Sequence, residues 1–361
     1  MNYIFSRLYS LLFSIVIAVG VTGCGAVNVL EASRVIYDDD PQKIIRTSGK
    51  NDIRIPQYKD DWFLEEMSKR FGLMAFFALV VYGCDEDLLD KYPDACKNTL
   101  VDNTSKFGMP YSDNEKIRWE RWCSKNVDSC FNGDGLFYET YVLRGSEGGY
   151  IEKAVVAYRG TESTPDQRFH DWSSNFAAAI GLEPKQYKLA RERLPKLINQ
   201  LKLEGNPNKP PLIYAVGHSL GGGLAQQAGY LSGDIKEVYT FNTSPVTNWS
   251  YLRMYGLIER GYPVIHRIYN GGEGLAGIRS IATASTATRY GRHDVGIQFG
   301  EKSIVGGHSM KVLACGFAQV LSEMPKEQLP HDYPYDYIKN HVWGPGKSDE
   351  EKKSMFCYVR N

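Results

Sequence analysis

The sequence predicts an α/β fold with a mostly parallel central sheet. Three observations carry that expectation. From about residue 135 onward, short apolar runs rich in β-branched and aromatic residues alternate with longer helical stretches, the pattern that builds βαβ units. One run, Leu212-Ile213-Tyr214-Ala215-Val216, leads straight into Gly217-His218-Ser219-Leu220-Gly221 and then into a small-residue helix over 220–231. The chain has 361 residues, 43% of them hydrophobic, enough to bury the core of one sizeable domain with insertions.

Met1 to Arg7 carries one side-chain positive charge, Leu8 to Val21 is mostly apolar, and Val21-Thr22-Gly23-Cys24 follows. The apolar stretch is too short to span a bilayer comfortably. A charged start, a short apolar stretch and small residues before a cut site describe an export signal over 1–23. A cysteine directly after the small residues resembles the lipobox of bacterial lipoproteins. That resemblance implies acylation of Cys24 (palmitate among the acyl groups), and Gly25 beside it implies the outer membrane of the bacterial envelope. Residues 24–58 are polar and irregular, and are expected to act as a tether below a catalytic domain over 59–361.

Residues 60–82 read as a helix whose second half, Phe71 to Tyr82, is almost wholly apolar; twelve residues suit a buried helix rather than a span. Residues 84–130 are charged, aromatic and Cys-rich, as expected of a surface insertion. Leu136–Leu143 and Tyr150–Tyr158 flank a Gly-rich turn and predict a hairpin. A helix is predicted over 184–203, from Leu189, Leu194, Leu197, Ile198 and Leu201 near helical spacing. Short strands are predicted over 212–216, 238–241 and 264–269.

Lys plus Arg and Asp plus Glu are 42 each, so the chain lacks the basic excess that nucleic-acid binding uses. No metal-ligand or cofactor motif is found. Beyond Cys24, six cysteines remain: Cys84, Cys96, Cys123, Cys130, Cys315 and Cys357. None has CxxC spacing, and an even number in an oxidising compartment predicts disulfides. Two bridges are expected within 84–130, where few aliphatic residues are available to order the chain. A third is expected between Cys315 and Cys357, where it ties down the C-terminal tail.

The Gly217–Gly221 segment is a GxSxG motif in the setting that gives it chemical meaning, between an apolar strand and a helix. There the serine sits at a sharp, strained turn with its hydroxyl clear of the sheet, and Gly221, Gly222 and Gly223 leave room for neighbouring backbone. This marks Ser219 as the candidate nucleophile of an α/β-hydrolase fold. A serine hydroxyl needs a base to take its proton. His308 follows Gly306-Gly307 and precedes an apolar helical face, so it is placed on a loop at a helix start. The helix N-terminus there favours the neutral imidazole that can accept a proton; His293 is the alternative. The acid that orients the imidazole is sought after a sheet strand. Glu273, in Asn270-Gly271-Gly272-Glu273 after the 264–269 strand, is the first candidate and Asp294 the second. The developing oxyanion needs backbone donors. One is the amide of Leu220, and a second is expected at the strand end Tyr158-Arg159-Gly160-Thr161.

These pieces, taken in order, resemble the class 3 lipase family, the fungal-lipase-like α/β-hydrolases. Tyr158-Arg159-Gly160-Thr161 is similar to that family's oxyanion segment, Asp171-Trp172 and Asn175 to the element after it, and Gly217–Gly222 to its nucleophile elbow. Val238–Phe241 to Pro245 and Arg267–Asn270 are similar to its next two strands. The resemblance runs from about 135 to 322 and implies that Thr161 serves the oxyanion hole, Ser219 attacks, and His308 is the base. Glu273 stands where the family usually has Asp. The family's amphipathic lid is replaced by Ser163–His170, in which only Phe169 is strongly apolar. The expected activity is hydrolysis of carboxylic esters of lipids, as a lipase or phospholipase A. The alternatives are a general esterase for soluble acyl esters and an inert envelope-binding lipoprotein. The expected partners are a lipid or acyl-ester substrate and, through the anchor, a membrane.

Overall fold

The computed structural model describes residues 45–48, 61–82, 118–122, 129–145, 149–160, 183–260, 263–270, 292–297, 299 and 308–335. Their strands are β1 (Ile45–Ser48), β2 (Arg118–Arg121), β3 (Phe131–Gly133), β4 (Leu136–Arg144), β5 (Ile151–Tyr158), β6 (Leu212–His218), β7 (Ile235–Phe241), β8 (Ile265–Asn270) and β9 (Arg292–Ile297). The helices are α1 (Asp61–Val80), α2 (Lys185–Glu204), α3 (Leu220–Leu231), α4 (Trp249–Met254) and α5 (Met310–Glu323).

The strands form one mixed sheet in the order β1-β9-β8-β7-β6-β5-β4-β2, with β3 also paired to β4. Its centre, β5 to β9, is parallel. The outer strands β1, β2, β3 and β4 pair antiparallel. The fold is therefore α/β with a mostly parallel central sheet, as the alternation of strand and helix predicts. The expected hairpin is β4–β5, and the expected helix after Ser219 is α3.

The central strands β5 to β8 bury side chains on both faces, because helices cover both. On one face Ile213 and Ala215 of β6, Val156 of β5 and Val238 of β7 pack with α2, α3 and α4. On the other, Val216, Val155, Tyr239 and Ile268 pack with α1 and α5. The apolar half of α1 is buried as predicted. Phe77 lies 4.8 Å from Trp119 and 4.9 Å from Tyr141, ring centroid to ring centroid. Full burial of such a ring contributes about 1.5–3 kcal/mol. No helix among the described residues is long and apolar enough to cross a membrane.

Two stretches read as peripheral from the sequence contribute strands to this sheet. Residues 45–48, within the expected tether, form β1 and pair with β9. Residues 118–121, within the expected insertion, form β2 and pair with β4, and Trp119 of β2 is buried under Phe77. Both lie at sheet edges, where pairing is made by backbone groups and needs no long apolar run. Arg118-Trp119-Glu120-Arg121 therefore looks like surface chain until its partner strand is known. Cys130 and Cys315 are disulfide-bonded. Cys24, Cys84, Cys96, Cys123 and Cys357 lie outside the described residues, so the expected pairings stay expectations.

Candidate active site

The parallel strands end together at one edge of the sheet, where open α/β sheets bind ligands. Tyr158, His218, Phe241 and Asn270 are the last residues of β5, β6, β7 and β8. Ser219 follows His218 directly and is the N-cap of α3, with φ 55° and ψ −125°. A non-glycine residue in that region costs of the order of 1–3 kcal/mol and persists only where its surroundings hold it. Here they do so through three backbone hydrogen bonds. The Ser219 N–H donates to the Phe241 carbonyl at 3.1 Å, and the N–H groups of Gly222 and Ser244 both donate to the Ser219 carbonyl at 3.0 Å.

The glycines around this turn admit neighbours that side chains would exclude. A Cβ on Gly221 would lie 2.2 Å from the Tyr158 carbonyl oxygen; one on Gly222 would meet Thr243, and one on Gly223 would meet Tyr187 and Ser244. The turn is thereby wedged between the end of β5 and the loop after β7. Gln226 fixes that loop from α3, donating from Nε2 to Thr243 Oγ1 at 2.9 Å and to the Ser244 carbonyl at 3.0 Å.

The imidazole reaches the serine from the far side of the chain. His308 lies just before α5, whose N-cap is Ser309, and its Nε2 is 3.1 Å from Ser219 Oγ. That is within the reach of a base that takes the hydroxyl proton. His293 lies inside β9, in register with His266 on one side and Ser48 on the other; His308 is the histidine that meets Ser219. Asp294 is likewise a mid-strand residue of β9, in register with Arg267 and Thr47. Glu273 and Thr161 lie outside the described residues. Leu220, whose amide is the first expected oxyanion donor, opens α3 immediately after Ser219.

Several residues that pattern reading passes over shape this edge. His218 is the variable position of the GxSxG motif. Its Nε2 is 2.7 Å from the His308 carbonyl oxygen, and its Nδ1 is 2.7 Å from Tyr82 Oη. Tyr82, just past the C-terminal end of α1, also accepts the Gly160 N–H at 3.1 Å. Asn242 has a φ of 42°. Its side chain accepts the Asn270 N–H at 2.8 Å, and Asn270 Oδ1 accepts the Phe299 N–H at 2.9 Å. These asparagines pin the ends of β7 and β8 to Phe299, beyond β9. Asn270 belongs to the quoted Asn-Gly-Gly-Glu segment; Tyr82 and Asn242 carry no local signal.

A second polar group lies on the α1 face, away from Ser219. Glu237 of β7 accepts from Tyr239 Oη at 2.8 Å and pairs with buried His266 at 2.9 Å. The His266 hydrogen bond is the main cause that holds the Glu237 carboxyl down at about 2, against an ordinary 4.5.

Residues 126–257 match a phospholipase-like family, the Tle-like phospholipase domain. The matched stretch runs from just before β3 through α4, so it contains the Arg159-Gly160 strand end and the Ser219 turn; His308 lies beyond it. No curated protein matches the chain. Among solved structures, acetyl xylan esterase 1 from Thermoanaerobacterium sp. JW/SL YS485 is similar over 66% of this chain and 92% of its own, at 10% identity and a TM-score of 0.26. The family match supports a hydrolase of ester substrates in the broad lipase and phospholipase grouping. It does not single out the class 3 lipases that the motifs resemble.

Proposed function

We propose that this protein is a serine carboxylic ester hydrolase acting on the acyl esters of lipids, with phospholipids as the leading substrate class. One observation carries the reading: a strained serine at a strand-to-helix turn, its Oγ 3.1 Å from the Nε2 of a histidine 89 residues further along the chain. The phospholipase-like match over 126–257 supports the choice of substrate.

In this reading the turn is a nucleophile elbow. Ser219 Oγ attacks the ester carbonyl while His308 Nε2 takes its proton. The tetrahedral oxyanion is met by the Leu220 amide and by Thr161. His308 then protonates the departing alcohol, leaving an acyl group on Ser219. Water, deprotonated by the same imidazole, releases the fatty acid. Glu273, three residues after β8 in the sequence, is assigned to orient and stabilise the imidazolium, as a triad acid does. The mechanism uses no metal or cofactor. Cys24 is assigned as a lipid anchor that holds the enzyme at the bacterial envelope, where its substrate is.

A second reading, an esterase for soluble acyl esters, is favoured by the polar Ser163–His170 segment, which lacks the apolar face of a lipid-binding lid. Hydrolysis of phosphatidylcholine vesicles, triglyceride emulsion and p-nitrophenyl butyrate, each followed as acid release, decides between them. Phospholipid turnover that depends on Ser219 supports the proposal. Turnover confined to the soluble ester replaces it with the second reading. An active Ser219→Ala protein, or failure of a fluorophosphonate to label Ser219, overturns both.

A further inference from the structure

Two histidines lie side by side at this site, and His308 meets the serine. The rings of His218 and His308 are 4.9 Å apart, centroid to centroid. His218 is nearly buried, at 7% exposure, and both of its ring nitrogens have partners. The chemistry of those partners sets the direction of each bond. The His308 carbonyl oxygen can only accept, so His218 Nε2 carries a proton and donates to it at 2.7 Å. A neutral imidazole with its proton on Nε2 has an acceptor at Nδ1, so Tyr82 Oη–H donates there, also at 2.7 Å. The Tyr82 oxygen in turn accepts the Gly160 N–H at 3.1 Å. The result is one directed chain: Gly160 N–H to Tyr82 O–H to His218 to the backbone of His308.

From this geometry we infer that His218 and Tyr82 are positioning residues for the reaction, coupling the oxyanion segment to the catalytic base. The inference rests on the hydrolase reading above. One end of the chain is Gly160, beside Thr161. The other is the main chain of His308, whose ring must stay within proton-transfer distance of Ser219 Oγ. These two parts come from opposite sides of the turn: the end of β5 and the loop before α5. Tyr82 comes from the end of α1 and His218 from β6, and together they span the gap. Bonds in such a chain polarise one another, so breaking one weakens the rest. Among the described residues, the hydroxyl of Tyr82 both accepts from Gly160 and donates to His218, which makes it the sensitive point.

A positioning role differs from a packing role in what it moves. Loss of position lowers kcat, because orientation counts in the transition state, and leaves KM nearly unchanged. Loss of packing lowers stability and need not touch kcat. Tyr82→Phe removes one oxygen and keeps the ring that packs edge-on to His218, 5.6 Å away. His218→Leu removes both nitrogens. His218→Gln can still donate to the His308 carbonyl from its amide.

The test measures kcat and KM on p-nitrophenyl butyrate for the full chain, its Ser219→Ala variant, the three variants above and the Tyr82→Phe/His218→Leu double variant. Thermal melting of each accompanies the kinetics. Tyr82→Phe is expected to lower kcat about tenfold and His218→Leu up to about a hundredfold, the scale of an ångström-sized misplacement. KM should stay within about twofold. His218→Gln should recover part of what His218→Leu loses. The double variant should be no worse than His218→Leu, because the two residues act through one chain. A folded Tyr82→Phe protein with wild-type kcat overturns the inference, as does a double variant whose losses multiply. Should His218→Leu not fold, Tyr82→Phe and His218→Gln decide the matter by the same criteria. An active wild type with a dead Ser219→Ala variant and an unaffected Tyr82→Phe variant rejects the positioning chain alone. A wild type inactive on phosphatidylcholine vesicles, triglyceride emulsion and p-nitrophenyl butyrate alike, or an active Ser219→Ala protein, rejects the hydrolase reading and this inference with it.

Discussion

Gly221→Ala adds one methyl group where the proposed nucleophile turn meets the proposed oxyanion strand. The new Cβ would stand 2.2 Å from the Tyr158 carbonyl oxygen, 2.7 Å from its carbon and 2.8 Å from the Arg159 carbon. Raising the shortest of these to the 3.0 Å that real Cβ contacts respect takes about 0.8 Å of movement. The obstacle cannot rotate away, because it is the main chain of β5, paired with β4 on one side and β6 on the other. Two energies then compete. Alanine is favoured over glycine in a helix by at most about 1 kcal/mol. Overpacking costs about 1–3 kcal/mol. The net destabilisation is therefore expected to be small, about 0–2 kcal/mol, and the protein should fold. Catalysis is less forgiving. The displacement separates Ser219 from Gly160, and a misplacement near an ångström costs about a hundredfold in rate. The expected result is a folded protein with kcat lowered about 30- to 100-fold on p-nitrophenyl butyrate, measured beside urea unfolding of both proteins. A Gly221→Ala protein with kcat within about twofold of wild type would show that the close packing of this turn on β5 does not set the reactive geometry.

Ser219→Ala and His308→Ala should each lower kcat on the order of 10⁴-fold, with Glu273→Gln damaging but less complete, in the same ester assay. A His293→Ala protein that is dead beside an active His308→Ala protein would reverse the assignment of the base. Glu237 is held below its ordinary value in the folded state, chiefly by the hydrogen bond to His266. Its contribution to stability is therefore full above about pH 4.5 and is lost as pH falls toward about 2. Urea midpoints between pH 6 and pH 3 should fall more steeply for the wild type than for Glu237→Gln; parallel curves would refute this. Labelled palmitate should enter the protein expressed in bacteria and should be absent from Cys24→Ser, and a mature mass with no acyl group would remove the proposed anchor.

Much of this architecture can be read along the chain, for a physical reason. A strand-to-helix turn with a serine at its apex makes its demands within a few residues: an apolar strand before it, and glycines after it where backbone passes close. All of these stand in order between Leu212 and Gly223, so β6, Ser219 and α3 are apparent before any coordinates. His308 is recoverable for a similar reason, since a loop histidine ahead of an apolar helix is a local pattern. The buried half of α1 announces itself by an unbroken apolar run. What the tertiary structure alone decides is whatever depends on partners distant in sequence. β1 and β2 look like tether and insertion because an edge strand is defined by the backbone beside it, not by its own side chains. Tyr82 is 136 residues from His218, and only the packing of α1 across the sheet brings its hydroxyl between Gly160 and the imidazole. Asn242 and Asn270 are ordinary polar residues until the ends of β7 and β8 align and one amide can hold the other. The identity of the candidate reacting groups is a matter of local chemistry, and a short stretch of chain can state it. Their alignment is a matter of contacts between remote segments, which exist only once the chain has closed on itself.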